Sequence, residues 1–156
     1  MVVVGAGPAG SAAATWLARG GRDVLLVDAA EFPRDKTCGD GLTPRAVAEL
    51  TKLGLDDWLA VRVRNWGLRA SGFGTTLLLP WPGGALPRFG SAARRSELDA
   101  AVRQLALDAG ARGRTGRVTG VRWDGAGVSA LELADGSAVR CRQVVVADGA
   151  KSGLGR

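Results

Sequence analysis

Residues 1–28 read MVVVGAGPAGSAAATWLARGGRDVLLVD. Val2-Val3-Val4 is a β-branched run, which reads as a buried strand. Gly5, Gly7 and Gly10 follow it at G-x-G-x-x-G spacing. Pro8 to Arg19 is rich in small and apolar residues without strand-like alternation, which predicts a helix stopped by Gly20-Gly21. Val24 to Val27 predicts a second strand that ends on Asp28. Together these make a β-α-β unit with a terminal acid. Gly5 permits the tight turn out of the strand. Gly7 lets backbone approach a diphosphate, and Gly10 lets the helix pack closely on the sheet. The helix N-terminus offers unpaired N–H groups and partial positive charge to phosphates, and Asp28 can accept hydrogen bonds from a ribose diol. An ordinary tight turn would leave the joint spacing of three glycines and Asp28 unexplained. The stretch therefore points to a dinucleotide, with the nicotinamide and flavin types both open.

Composition narrows the rest. The chain has 156 residues, 46% hydrophobic and 23% charged, enough for one globular domain with a real core. It contains no histidine, which removes histidine triads, histidine general bases and histidine metal sites, and no metal site is expected. The net charge is +6. The arginines are scattered, with no run longer than Arg94-Arg95, so no nucleic-acid partner is expected. A basic surface still suits an anionic cofactor or an anionic membrane face. Cys38 and Cys141 lie far apart and form no C-x-x-C, which suits a reduced, cytoplasmic setting. The uncharged residues 1–18 resemble a signal sequence or membrane span in hydropathy alone. No basic region precedes Val2, and Gly5, Gly7, Pro8 and Gly10 suit a strand–turn–helix better. Met1 stands directly on the strand, so a few preceding residues are expected.

Residues 29–43 read as a loop by their Pro33, Gly39, Gly41 and charges. Thr43 is a candidate N-cap and Pro44 a first helical residue. Val47, Leu50 and Leu53 recur at helical spacing up to Gly54, and Leu55 to Val61 is expected to be an exposed connection with Trp58 and Leu59 turned inward. Residues 62–90 predict a β-meander, with Trp66, Trp81 and Phe89 as core residues or as part of a lipophilic pocket; core is the stronger reading for aromatics on strands. Ser96-x-x-Asp99 predicts a capping box. The helix it opens would bury Leu98, Val102, Leu105 and Ala109 and end at Gly110. Three short strands are expected near 117–123, 127–133 and 138–142, with Asp124-Gly125 and Asp135-Gly136 as hairpin signals. Gln143 to Ala147 then reads as a strand buried on both faces of a parallel sheet, ending at Asp148-Gly149. Asp148 is either a plain turn residue or a ligand-facing one at the sheet's C-terminal edge. Arg95 is favoured over Arg94 by its offset to Leu98-Asp99. Cys38 is either a reactive loop thiol or a small buried apolar group, and Cys141 reads as structural.

GAGPAG with Asp28, PRDKTCGDGLTPRAV at 33–47, Arg95-x-x-Leu98-Asp99, and ADGAKSGLGR at 147–156 resemble the FAD-dependent geranylgeranyl reductase family. That family shares the p-hydroxybenzoate hydroxylase fold. The resemblance covers the whole chain, and K-T-C-G-D-G-L-T-P-R is its specific part. It implies an α/β fold: a Rossmann-like FAD-binding β-α-β with a parallel sheet and an inserted β-meander. Residues 1–156 would form the N-terminal portion of the FAD-binding domain, with 62–90 the start of a substrate-side sheet. Family members are longer and carry a second Gly-Asp motif and a C-terminal substrate region, so an incomplete fold is expected here. The resemblance also implies roles. Gly5, Gly7, Ala9 and Gly10 would hold the FAD pyrophosphate, and Asp28 the adenosine ribose. Cys38 and Gly39 would lie beside the isoalloxazine, with Cys38 the catalytic candidate. Arg95 would reach the ribityl-phosphate region, and Val118 would touch adenine through its backbone. Asp148 would sit near the pyrophosphate and assist a nicotinamide cofactor. The implied activity is reduction of isoprenoid carbon–carbon double bonds in a prenyl lipid or menaquinone, with NAD(P)H or another electron donor and with peripheral membrane contact. An FAD-dependent aromatic monooxygenase or halogenase is the alternative chemistry. A truncated, inactive nucleotide-binding fragment is the alternative without catalysis.

Overall fold

The computed structural model of the protein describes residues 1–38, 40–125, 127–150 and 152–154. In chain order its elements are β1 (Val2–Val4), α1 (Pro8–Arg19), β2 (Leu25–Asp28), β3 (Gly41–Leu42), α2 (Pro44–Leu53), α3 (Asp56–Ala60), β4 (Arg64–Asn65) and β5 (Gly67–Gly72). There follow β6 (Thr75–Pro80), β7 (Gly90–Ala92), α4 (Arg95–Asp108), β8 (Arg112–Thr115), β9 (Val118–Asp124), β10 (Gly127–Leu133), β11 (Ala138–Arg140) and β12 (Val144–Val146). They divide into two compact units: Met1–Lys36 with Ser96–Arg156, and Thr37–Arg95.

The first unit is built on a parallel sheet of order β12-β1-β2-β8. Val2, Val3 and Val4 stand opposite Val144, Val145 and Val146 on one side and Leu25, Leu26 and Val27 on the other. Alternate side chains go to opposite faces. Val3 and Leu26 pack with Ala14 of α1 and Ala106 of α4, while Val2, Val4 and Val27 pack on Leu131 of β10. The second face is thus covered by the antiparallel sheet β11-β10-β9. Burying each such Val or Leu contributes roughly 1.5–3 kcal/mol, so this double-sided core fixes the β-α-β unit.

Several expectations need correction here. The run at Gln143 to Ala147 forms β12, but β12 lies at the end of the sheet order and Val146 is exposed; it is a half-covered edge strand. β8 was not foreseen. Its Arg-Gly-Arg-Thr sequence shows no apolar pattern, yet it pairs with β2 from Leu25–Arg112 to Asp28–Thr115. α4 begins at Arg95, so Ser96 lies inside the helix, and the Asp99 carboxylate pairs with Arg34. The buried stripe of α4 is Leu98, Asp99, Val102 and Ala106; Leu105 and Ala109 are only half-buried.

In the second unit, α2 is capped by Thr43, whose Oγ1 accepts the Ala46 N–H at 3.3 Å, and it ends at Gly54 with φ 94°. Val47, Leu50 and Leu53 are buried as the spacing predicts. Leu55–Val61 is not an exposed connection. It contains α3, with Leu55 buried; Leu59 is buried as expected and Trp58 is half-buried. Residues 62–90 form no single meander. β4 joins β3 and β7 in one sheet, and β5 and β6 make a separate hairpin. Trp66 is 62% exposed, so it is not core. It meets Phe89 edge-on at 6.0 Å, and Trp81 Nε1 donates to Asn65 Oδ1 at 2.8 Å. Trp81 and Phe89 are half-buried and are held by these contacts.

Candidate functional site

The C-terminal edge of the parallel sheet is where the first unit gathers its candidate residues. The three glycines have separate tasks. A Cβ on Gly10 would lie 1.8 Å from the Gly5 carbonyl oxygen, so Gly10 sets how closely α1 rides on the strand turn. Gly5 has φ 98°, and its Cβ would meet the Ala147 carbonyl oxygen at 2.3 Å and Asp148 Cα at 2.9 Å. Gly5 therefore lets the chain leaving β12 run beside the turn, which brings Asp148 to the same edge. Gly7 differs. Its φ of −69° suits any residue, and a Cβ there would meet only Arg34 Nη2, at 3.6 Å. The protein's own packing does not demand glycine at Gly7. A side chain there would fill open space at the start of α1.

Gly7 is also the N-cap of α1, with no side-chain cap and no acid in the first turn. The first turn's N–H groups lack helical acceptors and carry the positive end of the helix dipole. Ala9, in that turn, is exposed. The result is a bare, positively polarised helix N-terminus, of the sign that suits a phosphate group. Asp28 stands beside it. Its Oδ2 accepts the Ala6 N–H at 2.7 Å and its Oδ1 the Ala30 N–H at 2.9 Å. Each carboxylate oxygen keeps a second lone pair for a hydroxyl donor. Val118 opens β9 opposite Leu133, its side chain packed against the Val2, Val4 and Val27 cluster. Asp148 is exposed just after β12, and Gly149 follows it with φ 91°.

Cys38 and Arg95 lie in the second unit. Cys38 is exposed, which excludes its reading as a small buried apolar group. Gly39 lies outside the described residues. Arg95 is half-buried at the start of α4, and its neighbour Arg94 is exposed. Cys141 packs beside the Val2–Leu131 cluster, and burial pushes its thiol above the usual cysteine range. That fits a structural role.

Sequence reasoning assigned nothing to Asp40, and the structure does. Asp40 has φ 53°, its carbonyl accepts the Ala93 N–H at 3.0 Å, and its Oδ1 accepts the Arg95 N–H at 3.2 Å. It caps the first residue of α4 and so ties the Cys38 loop to Arg95. The signal available in the sequence was an Asp between two glycines, a residue type that tolerates positive φ. A separate cavity of about 1030 Å³ is lined by Asp23, Arg140, Cys141 and Gln143 among others. It opens at the N-terminal ends of the parallel strands, whereas ligands of such sheets bind at the carboxyl ends.

The FAD binding domain family matches residues 1–156. The chain is 59% identical to the menaquinone reductase of Mycolicibacterium smegmatis and 60% identical to that of Mycobacterium tuberculosis, over all of this chain and 39% of each relative. It is 36% identical to digeranylgeranylglycerophospholipid reductase 1 of Methanopyrus kandleri, over all of this chain and 41% of the relative. The chain thus spans about two fifths of the length of these relatives. Among solved structures, a flavin-dependent brominase superposes with TM-score 0.81 at 27% identity, covering 96% of this chain and 37% of the other. The myxobacterial chondrochloren halogenase superposes with TM-score 0.87 over 98% of this chain and 38% of the other, and at 23% identity it shows the fold alone. An uncapped helix N-terminus, a glycine kept free of a side chain and a strand-ending acid are what an FAD diphosphate and ribose require, and the chain belongs to the FAD binding domain family.

Proposed function

We propose that the chain is the cofactor-holding part of a flavin-dependent reductase that saturates carbon–carbon double bonds of an isoprenoid chain, with the prenyl tail of a menaquinone as the favoured substrate. The observation that carries this is the identity of about 60% to menaquinone reductases along the whole chain, against 36% for the lipid reductase. FAD supplies the hydride chemistry when bound. The chain's own residues bind, orient and protonate. Gly5, Gly7, Ala9 and Gly10 hold the diphosphate with the α1 N-terminus, and Asp28 accepts from the ribose. The Val118 backbone meets the adenine. Asp148 lies by the diphosphate and assists NAD(P)H, the proposed reductant. Arg95 serves the ribityl-phosphate region, and Cys38 and Gly39 flank the flavin ring. Cys38 holds at Sγ the proton that the reduced substrate carbon takes up.

An unactivated alkene offers only apolar contact for recognition. Leu68, Phe73 and Leu77 to Leu79 on the β5–β6 hairpin are exposed, which supports a lipid-facing role for residues 62–90. Peripheral membrane contact belongs to the same reading; among the described residues no helix is long and apolar enough to cross a membrane.

The test uses a form of the protein at the full length of its relatives. Anaerobic incubation with reduced flavin and a prenylated menaquinone is expected to add two hydrogens per double bond, read by mass spectrometry. Oxygen-dependent hydroxylation or halogenation of an aromatic, with no saturation, would overturn the reading. Cys38→Ala is expected to keep its FAD and lose about 100-fold or more in turnover, the scale of a positioned proton donor. Turnover at the wild-type rate would remove Cys38 from the reaction.

A further inference from the structure

A buried ion pair remains that none of these roles uses. The side chain of Asp99, in the first turns of α4, is fully shielded from solvent, and Arg34 Nη1 approaches its Oδ2 at 3.2 Å from a side chain only 20% exposed. A carboxylate taken out of water is costly unless a cation and hydrogen bonds compensate it. Packing alone would be served by an apolar residue, as at Leu98, Val102 and Ala106 on the same face. Arg34 is also restrained in plane. Its guanidinium lies 4.9 Å from the Phe32 ring centroid, and Arg103 approaches the same ring at 5.2 Å. With Nη1 on Asp99, the second terminal nitrogen of the planar fork is left for another partner. Nη2 is the atom found 3.6 Å from the position of a Gly7 Cβ, at the mouth of the diphosphate cradle.

We propose that Arg34 is a cofactor-binding residue whose Nη2 edge donates to the FAD diphosphate, and that buried Asp99 is the positioning residue that aims it. The α1 N-terminus offers N–H groups and a partial charge, and its first turn contains no charged side chain. A diphosphate carries full negative charge and is bound more strongly by a charge-assisted hydrogen bond. The guanidinium is a planar fork. One edge serves Asp99 while the other serves the anion, which the single point charge of lysine cannot do. The proposal rests on FAD binding, and not on the identity of the reduced substrate.

The experiment titrates FAD, ADP and adenosine into the apo form of the full-length protein. FAD is read by flavin fluorescence, and ADP and adenosine by displacement. Arg34→Lys keeps a cation for Asp99 but removes the second edge. It is expected to weaken FAD and ADP about 10- to 100-fold, the size of one charge-assisted hydrogen bond, and to leave adenosine within about two-fold. Arg34→Gln alone would strand a buried carboxylate and risk unfolding. The double variant Arg34→Gln with Asp99→Asn strands no charge and is expected to fold and show the same selective loss. Folded variants that hold FAD and ADP at wild-type strength would overturn the proposal. So would a loss equal for adenosine and ADP, because a merely structural ion pair would disturb both. Wild-type protein that takes up no FAD would overturn this proposal together with the FAD assignment, whereas intact FAD uptake without alkene reduction leaves the diphosphate result standing and sinks only the reductase reading.

Discussion

Gly10→Ala is expected to unfold the β1–α1–β2 unit, while Gly7→Ala folds normally and loses the cofactor. Both are single methyl additions in one turn, so the contrast isolates packing from binding. On Gly10 the methyl would sit 1.8 Å from the Gly5 carbonyl oxygen and 3.2 Å from Ala147 Cβ. Neither the new methyl nor the backbone carbonyl has a rotamer that relieves this. α1 must lift from the sheet, which uncovers Ala14, Val3 and Leu26 on the core's helix side. Overpacking of this kind costs about 3 kcal/mol or more, a large fraction of the roughly 5–15 kcal/mol that holds a domain together. On Gly7 the methyl meets only Arg34 Nη2, at an ordinary contact distance, and the backbone conformation is open to any residue. Stability should move by less than about 1 kcal/mol, in either direction, because alanine also narrows the unfolded ensemble. FAD affinity should fall by about 100-fold, since the methyl takes the space that a phosphate needs. Thermal melts of the apo full-length form, with flavin fluorescence titration, check both halves. Equal effects of the two substitutions on melting would show that the cradle at Gly7 is packing and not a binding surface.

The contrast also shows what was legible in the sequence. The three glycines announced a turn and a helix, because both are fixed by local geometry that repeats wherever the unit occurs. β1, β2 and α2 were equally plain, since their apolar periods match the faces they bury. β8 was not, because Arg112, Gly113 and Arg114 bury nothing comparable. It is held by backbone pairing to β2 and by ion pairs from Arg112 to Asp23 and Arg114 to Asp135, and an edge strand with charged side chains carries no hydrophobic signal. Trp66 misled for the opposite reason. Its chemistry suggests a core, but β5 and β6 form a two-stranded ribbon in which the large apolar residues stay exposed. Asp40 and Asp99 look like loop and cap residues when read locally. Their partners, Arg95 and Arg34, lie tens of residues away, and only the fold brings each pair together.

Asp28→Asn is expected to behave nearly as badly as Asp28→Ala, although it keeps size and shape. The carboxylate has two tasks that share its oxygens. One is internal: Oδ2 holds the Ala6 N–H inside the glycine turn, and Oδ1 holds the Ala30 N–H after β2. It thus clamps the G-x-G turn to the end of β2. The other is the proposed ribose contact, for which each oxygen keeps a lone pair. Asparagine offers one acceptor oxygen and one donor NH2. Whichever way the amide turns, one backbone N–H faces another donor in a half-buried site, and an unsatisfied group there costs about 1–3 kcal/mol. The ribose diol loses an acceptor at the same time. Melting temperature should therefore drop in both variants, and FAD affinity should fall about 10-fold or more beyond the fall shown by a comparably destabilised core variant such as Val102→Ala. That comparison separates a ribose contact from general loosening: Val102 is fully buried on α4. If Asp28→Asn matches wild type in both melting and FAD titration, Asp28 is neither clamp nor ribose acceptor. If it melts lower but binds FAD as the Val102 variant does, the clamp stands and the ribose role falls.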